Sequence, residues 1–92
     1  MHDVMETKRF FFGIDCDPFC RNQQKFIDQV SKEIFEGKEI ECVSKSFGAW
    51  EFVVEGTQSQ KNQIWDLLNE YYSQRLCRGA FCEDPWNKKE KS

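Results

Sequence analysis

The chain has 92 residues and a formal net charge of −3. That length suits one hydrophobic core rather than two, and the charge argues against a strongly electrostatic nucleic-acid binder, which concentrates Lys and Arg on one face. Hydrophobic residues make up 39% and aromatic residues 15% of the chain, with nine Phe and three Trp, enough apolar surface to exclude an intrinsically disordered chain.

The first residues, Met1-His2-Asp3-Val4-Met5-Glu6, lack the basic start and apolar stretch of a secretory signal. No apolar run approaches the roughly 20 residues that a membrane-spanning helix needs, so a cytoplasmic location away from membranes is expected. There are five cysteines, an odd number, and in that compartment they are expected as reduced thiols. Residues 1–7 are polar and 83–92 form a charged stretch broken by Pro85, so both ends are expected to be loose and a single core to occupy about 8–82.

Residues 9–16 alternate as a strand, with Phe10, Phe12, Ile14 and Cys16 on one face and Phe11, Gly13 and Asp15 on the other. Asp17-Pro18 predicts a helix start, the carboxylate accepting unpaired backbone N–H groups and Pro occupying the first turn, where its missing donor costs nothing. Phe19, Phe26, Ile27, Val30 and Ile34 keep helical spacing up to Gly37, which is placed to end the helix in a left-handed conformation. Residues 39–45 set Ile40 and Cys42 against Glu39, Glu41 and Val43. Ser46-Phe47-Gly48 turns the chain, and Trp50, Phe52 and Val54 then alternate with Glu51, Val53 and Glu55, predicting an antiparallel hairpin. Thr57-Gln58-Ser59-Gln60 has the spacing of a capping box. Ile64, Trp65, Leu68, Tyr71, Tyr72 and Leu76 mark the apolar stripe of a second helix, and residues 76–82 are short enough for a last edge strand.

The order strand, helix, strand, strand, helix, strand is the split βαβ (βαββαβ) arrangement of the ferredoxin-like fold, an α+β class in which two helices cover one face of an antiparallel sheet. The other face is left for solvent or a partner. The alternation assigns it Phe11, Gly13, Asp15, Glu39, Glu41, Val43, Glu51, Val53 and Glu55, an apolar centre within an acidic frame.

Two segments carry a family resemblance. Phe10-Phe11-Phe12-Gly13-Ile14-Asp15 resembles the first-strand hexamer of the RNA recognition motif, and Lys45-Ser46-Phe47-Gly48-Ala49-Trp50-Glu51-Phe52 resembles its third-strand octamer. The resemblance implies Phe11 and Phe47 as base-stacking rings on the open face, Lys45 near the phosphates, and single-stranded RNA as the ligand. The chain departs from the pattern at Ala49, where the family has a second stacking ring, and at Ser46, where it has Gly. Glu39, Glu41, Glu51 and Glu55 would also set like charge beside a phosphate chain.

In this topology the first strand ends, the first helix begins and the second helix ends at the same edge of the sheet. Cys16, Cys20 and Cys77 are therefore expected as neighbours, with Cys82 a little further off. Four thiolates bind zinc tetrahedrally, which makes a zinc-stabilised scaffold one alternative. Buried, reduced cysteine acting as a small hydrophobe is the commoner outcome, and no cofactor is expected. His2 is the sole histidine and has no second group to orient it, so no His-assisted nucleophile forms. Asp15 with Asp17 is followed by no metal-loop pattern.

The expectation from the residues is a non-enzymatic acidic protein that occludes a Lys/Arg-rich surface of a nucleic-acid-handling protein. Phe11, Asp15, Glu39, Glu41, Val43, Phe47, Glu51, Val53 and Glu55 are its docking residues. Phage-encoded inhibitors of bacterial defence, anti-CRISPR proteins among them, are similar in size and in lacking a catalytic set. The alternatives are an RNA-binding domain resembling the RNA recognition motif and the zinc scaffold.

Overall fold

A computed structural model describes residues 6–86. Its elements run β1 (Thr7–Asp15), α1 (Asn22–Ile34), β2 (Glu41–Ser46), β3 (Ala49–Thr57), α2 (Gln58–Ser73) and β4 (Gly79–Cys82). The sheet order is β2-β3-β1-β4 with every neighbouring pair antiparallel. Each helix carries the chain across to a strand two places away, so β1 and β3 lie at the centre, and the fold is the ferredoxin-like split βαβ arrangement.

The two central strands are apolar on the face that meets the helices. Phe10 is opposite Val54, Phe12 opposite Phe52 and Ile14 opposite Trp50. Phe10, Phe12, Phe52 and Val54 are buried in one cluster with Phe26 and Val30 of α1 and Ile64, Leu68 and Tyr71 of α2. Phe12 sits at its middle, with its ring centroid 5.4 Å from Phe52 and 6.1 Å from Phe26.

The first helix starts later than the sequence predicts. Residues 17–20 instead form a turn in which Asp17 Oδ1 accepts from the Phe19 N–H at 2.9 Å and Asp17 O accepts from the Cys20 N–H at 3.1 Å. The Asp17 carboxylate is thus spent on a local turn, and the helix begins at Asn22 without a side-chain cap. Phe19 consequently leaves the apolar stripe and is 89% exposed. At the other end of α1, Glu36 and Gly37 take positive φ values of 56° and 88°, the left-handed exit expected at Gly37.

β2 begins at Glu41, which leaves Glu39 in the preceding loop. Phe47 (φ 41°) and Gly48 (φ 103°) form the two-residue connection to β3, and paired positive φ values match the twist of a tight hairpin. This turn is fastened to the β1–α1 loop. The Cys16 N–H donates to Gly48 O at 3.0 Å, and the buried Gln23 side chain donates from Nε2 to the same oxygen at 2.9 Å. A Cβ at residue 48 would collide with Cys16 O, so glycine is required there on steric grounds as well.

The capping box of α2 forms as expected: Gln60 N–H donates to Thr57 Oγ1 at 3.1 Å, and Thr57 N–H donates to Gln60 Oε1 at 2.9 Å. The buried stripe is Lys61, Ile64, Leu67, Leu68 and Tyr71, so the expected Trp65 and Tyr72 are corrected to exposed positions. Residues 83–86 are likewise not loose. Glu83 N–H donates to Phe11 O at 2.9 Å, Lys61 Nζ pairs with Asp84 Oδ2 at 3.2 Å, and the Trp86 ring packs edge-on against Phe10 at 5.8 Å. Ordered structure therefore extends past residue 82. At the other end β1 already begins at Thr7, opposite Thr57, so residue 7 is not loose either, while 1–5, His2 among them, and 87–92 lie outside the described residues.

Candidate functional site on the open sheet face

The face of the sheet away from the helices is built by register. Arg9 of β1 stands opposite Glu55 of β3, Phe11 opposite Val53, Gly13 opposite Glu51, and Asp15 opposite Ala49. On β2, Glu41 stands opposite Val53, Ser44 opposite Glu51 and Ser46 opposite Ala49. On β4, Phe81 stands opposite Gly13 and Gly79 opposite Asp15. Because successive residues of a strand point to opposite faces, Phe11, Val53 and Phe81 form an apolar strip, with Glu41, Glu51, Glu55 and Asp15 around it. Glu83 joins the frame by accepting the Phe11 N–H on its Oε1 at 3.0 Å.

Most of the expected face is brought together, with four adjustments. Val53 is only 5% exposed yet lies outside the helix-side core cluster; Phe11 and Glu41 flank it in register, so it is a buried floor rather than a free contact. Val43 occupies an irregularity in the β2–β3 pairing between Cys42 and Ser44, where the extra residue breaks strict alternation. Phe47 sits in the hairpin turn, 81% exposed and off the sheet surface. Glu39 approaches the face from the loop before β2, where it lines a shallow depression with Glu41 and Glu55 and with the cations Arg9 and Lys38. Lys45 lies opposite Trp50, and its Nζ is 4.1 Å from the centre of that ring. Trp50 packs against the core, so the amine is held toward the helix side of the sheet, away from where a phosphate on the open face would be.

Phe81 is the residue that sequence reasoning missed. The alternation of Gly79 and Phe81 against Ala80 and Cys82 carried the signal, but only pairing with β1 shows which member of the pair faces outward. Its ring leans over Gly13: a Cβ at that position would lie 2.5 Å from Phe81 Cε1 and 2.8 Å from Trp50 O. Between this ring and β2 is an open cleft of about 430 Å³, with Gly13 and Ala49 in its lining and Ser44, Ser46, Glu51 and Asp15 among its polar groups. Asp15 is engaged by Arg78, whose Nη2 is 3.2 Å from Oδ1. Among the described residues Glu41, Glu51 and Glu55 form no ion pair; Glu55 accepts one long bond, 3.4 Å, from Thr7 Oγ1.

The cysteines form a separate feature behind the sheet. All five are free thiols. Burial, with Cys77, Cys20 and Asp15 adding to it, pushes the Cys16 thiol from its usual 9.0 to about 12. Burial likewise raises Cys77 and takes Cys82 to about 12, Lys61 opposing the rise at Cys82. Protonated thiols are poor nucleophiles. Among the described residues no three His, Cys, Asp or Glu side chains gather to hold a metal ion, so Cys16, Cys20, Cys77 and Cys82, the less favoured alternative, are not assembled as a tetrahedral set.

These shifts have a consequence for stability. The folded chain holds its thiol protons as the pH rises through 9, where the unfolded chain releases them, so the contribution of Cys16 and Cys82 is whole below pH 9 and is lost on the way to about 12. Tyr71, raised by burial, acts in the same direction. The urea midpoint is expected to fall with alkalinity over that range, and Cys16→Ala is expected to flatten the slope.

No helix among the described residues is long and apolar enough to cross a membrane. Compared with protein-family models, with curated proteins and with solved structures, the chain finds no match in any of the three.

Proposed function

We propose that the protein is a non-enzymatic binding protein whose open sheet face docks on a basic surface of a nucleic-acid-handling protein and occludes the site meant for phosphates. The observation that carries this reading is the set of carboxylates, Glu41, Glu51 and Glu55, that surround Phe11 and Phe81 without ion-pair partners among the described residues. These carboxylates outnumber Arg9, the cation that β1 sets on the same face opposite Glu55, and a partner rich in Lys and Arg relieves their mutual repulsion while supplying steering over about a Debye length, ~8–10 Å. The apolar strip gives the contact its desolvated centre and the carboxylates its polar rim. Inhibition of a bacterial defence nuclease by a phage-encoded protein is one biological setting for such a surface.

Competition tests this reading. A partner captured on the immobilised chain is expected to be a nucleic-acid binder that is released by heparin or by single-stranded DNA, since both would contend for its basic site. A captured complex indifferent to these polyanions would sink the proposal, and a chain that itself retains RNA in a salt-dependent way would favour the RNA-binding alternative.

A further inference from the structure

We propose that the cleft beside Phe81 is a receptor for a single arginine side chain of the protein partner. This rests on the acidic-face reading and adds to it the residue that anchors the partner. The cleft has the three features that a guanidinium needs. Its wall is a flat, half-exposed ring: Phe81 is 43% exposed and its ring lies over the sheet only because residue 13 has no side chain to displace it. Gly13 is covered by that ring, and beside it the floor is the small Ala49, so a planar group can lie next to the ring. Its far side carries the carboxylate of Glu51, directly opposite Gly13 in the register and without an ion-pair partner among the described residues.

The order of side chains along this row of the sheet is Ser44, Glu51, Gly13 and Phe81. The Phe81 ring already covers Gly13, so a group in the open part of the cleft beside that ring has both the ring and the Glu51 carboxylate in its lining. Guanidinium uses both: its parallel N–H groups match a carboxylate, and its weakly hydrated plane stacks on an aromatic face. Ammonium gains less from the ring because it is a compact, strongly hydrated charge. A nucleotide gains the stacking but brings a phosphate toward Glu51 and Asp15. Asp15 already holds Arg78 at the end of the same cleft, so this chain displays one carboxylate–guanidinium pair at the rim of the place where the second is inferred.

The test uses the full chain, labelled with ¹⁵N, titrated at fixed ionic strength with oligoarginine, oligolysine and AMP. Oligoarginine is expected to shift the amides of Gly13, Ala49, Gly79 and Phe81 saturably and to bind roughly three- to tenfold more tightly than oligolysine, the size of a cation–π preference. Phe81→Leu, which keeps an apolar residue on β4, is expected to erase the preference for arginine while leaving oligolysine binding unchanged. Glu51→Gln is expected to weaken oligoarginine more than Glu41→Gln does. Equal affinities for the two peptides, with shifts spread over all the carboxylates, would overturn the arginine cleft and leave the acidic face standing. Binding of neither peptide to the sheet would overturn both. AMP shifting the same amides more strongly than oligoarginine would also overturn the inference, in favour of a base-stacking ligand.

Discussion

Phe12→Ala is expected to lower the free energy of unfolding by about 3–5 kcal/mol, the usual cost of removing a large ring from a site that cannot collapse. Phe12 is fully buried between the helices and the central strands, with Phe52 and Phe26 on either side. Its loss would leave a void bounded by rigid strands. A small domain has only about 5–15 kcal/mol of stability in total, so a large part of the chain population would unfold near physiological temperature. Phe11→Ala is the matched control, since Phe11 is only half-buried and points to the other face, and it is expected to cost far less. Urea denaturation of the pair reads the difference. Equal costs would mean that the two faces of β1 have been assigned the wrong way round. Val53 does not serve as such a control, because its side chain is buried on the open face.

Neutralising Glu39, Glu41 and Glu55 together to Gln is expected to slow association with the basic partner by roughly tenfold at low salt and to flatten its dependence on ionic strength, because rim charges act chiefly on the encounter rate. The three side chains are exposed, so the melting temperature should hardly move. Glu51 is left intact in this variant, which separates the steering rim from the arginine cleft. Surface plasmon resonance across a salt series measures both quantities. An RNA binder would respond in the opposite sense: removing negative charge beside a phosphate chain would tighten RNA binding. Tighter RNA binding by the variant, together with measurable binding by the parent, would displace the occluding-protein reading.

The fold was legible in the residues because its two periodicities are clean. Phe10, Phe12 and Ile14 against Phe11 and Gly13, and Trp50, Phe52 and Val54 against Glu51 and Val53, state which side of the sheet is apolar. Thr57 and Gln60 mark the start of the second helix by their own hydrogen bonds. Such signals are local, so no tertiary contact is needed to read them. The acidic frame followed from the same alternation.

What the tertiary structure alone decided involved competition between a local rule and a distant partner. Asp17 had two uses, helix cap or turn, and the fastening of the hairpin turn to Cys16 and Gln23 goes with the turn. Lys61 falls on the buried stripe of α2 three residues before Ile64, but its charge hides it from a hydrophobic pattern until Asp84, far along the chain, is seen beside it. Phe81 belongs to a strand so short that its outward direction is fixed only by pairing with Gly13. The cleft exists because a ring from β4, a missing side chain on β1 and a carboxylate on β3 share one row of the sheet, and strand register is a long-range property that composition and periodicity do not contain.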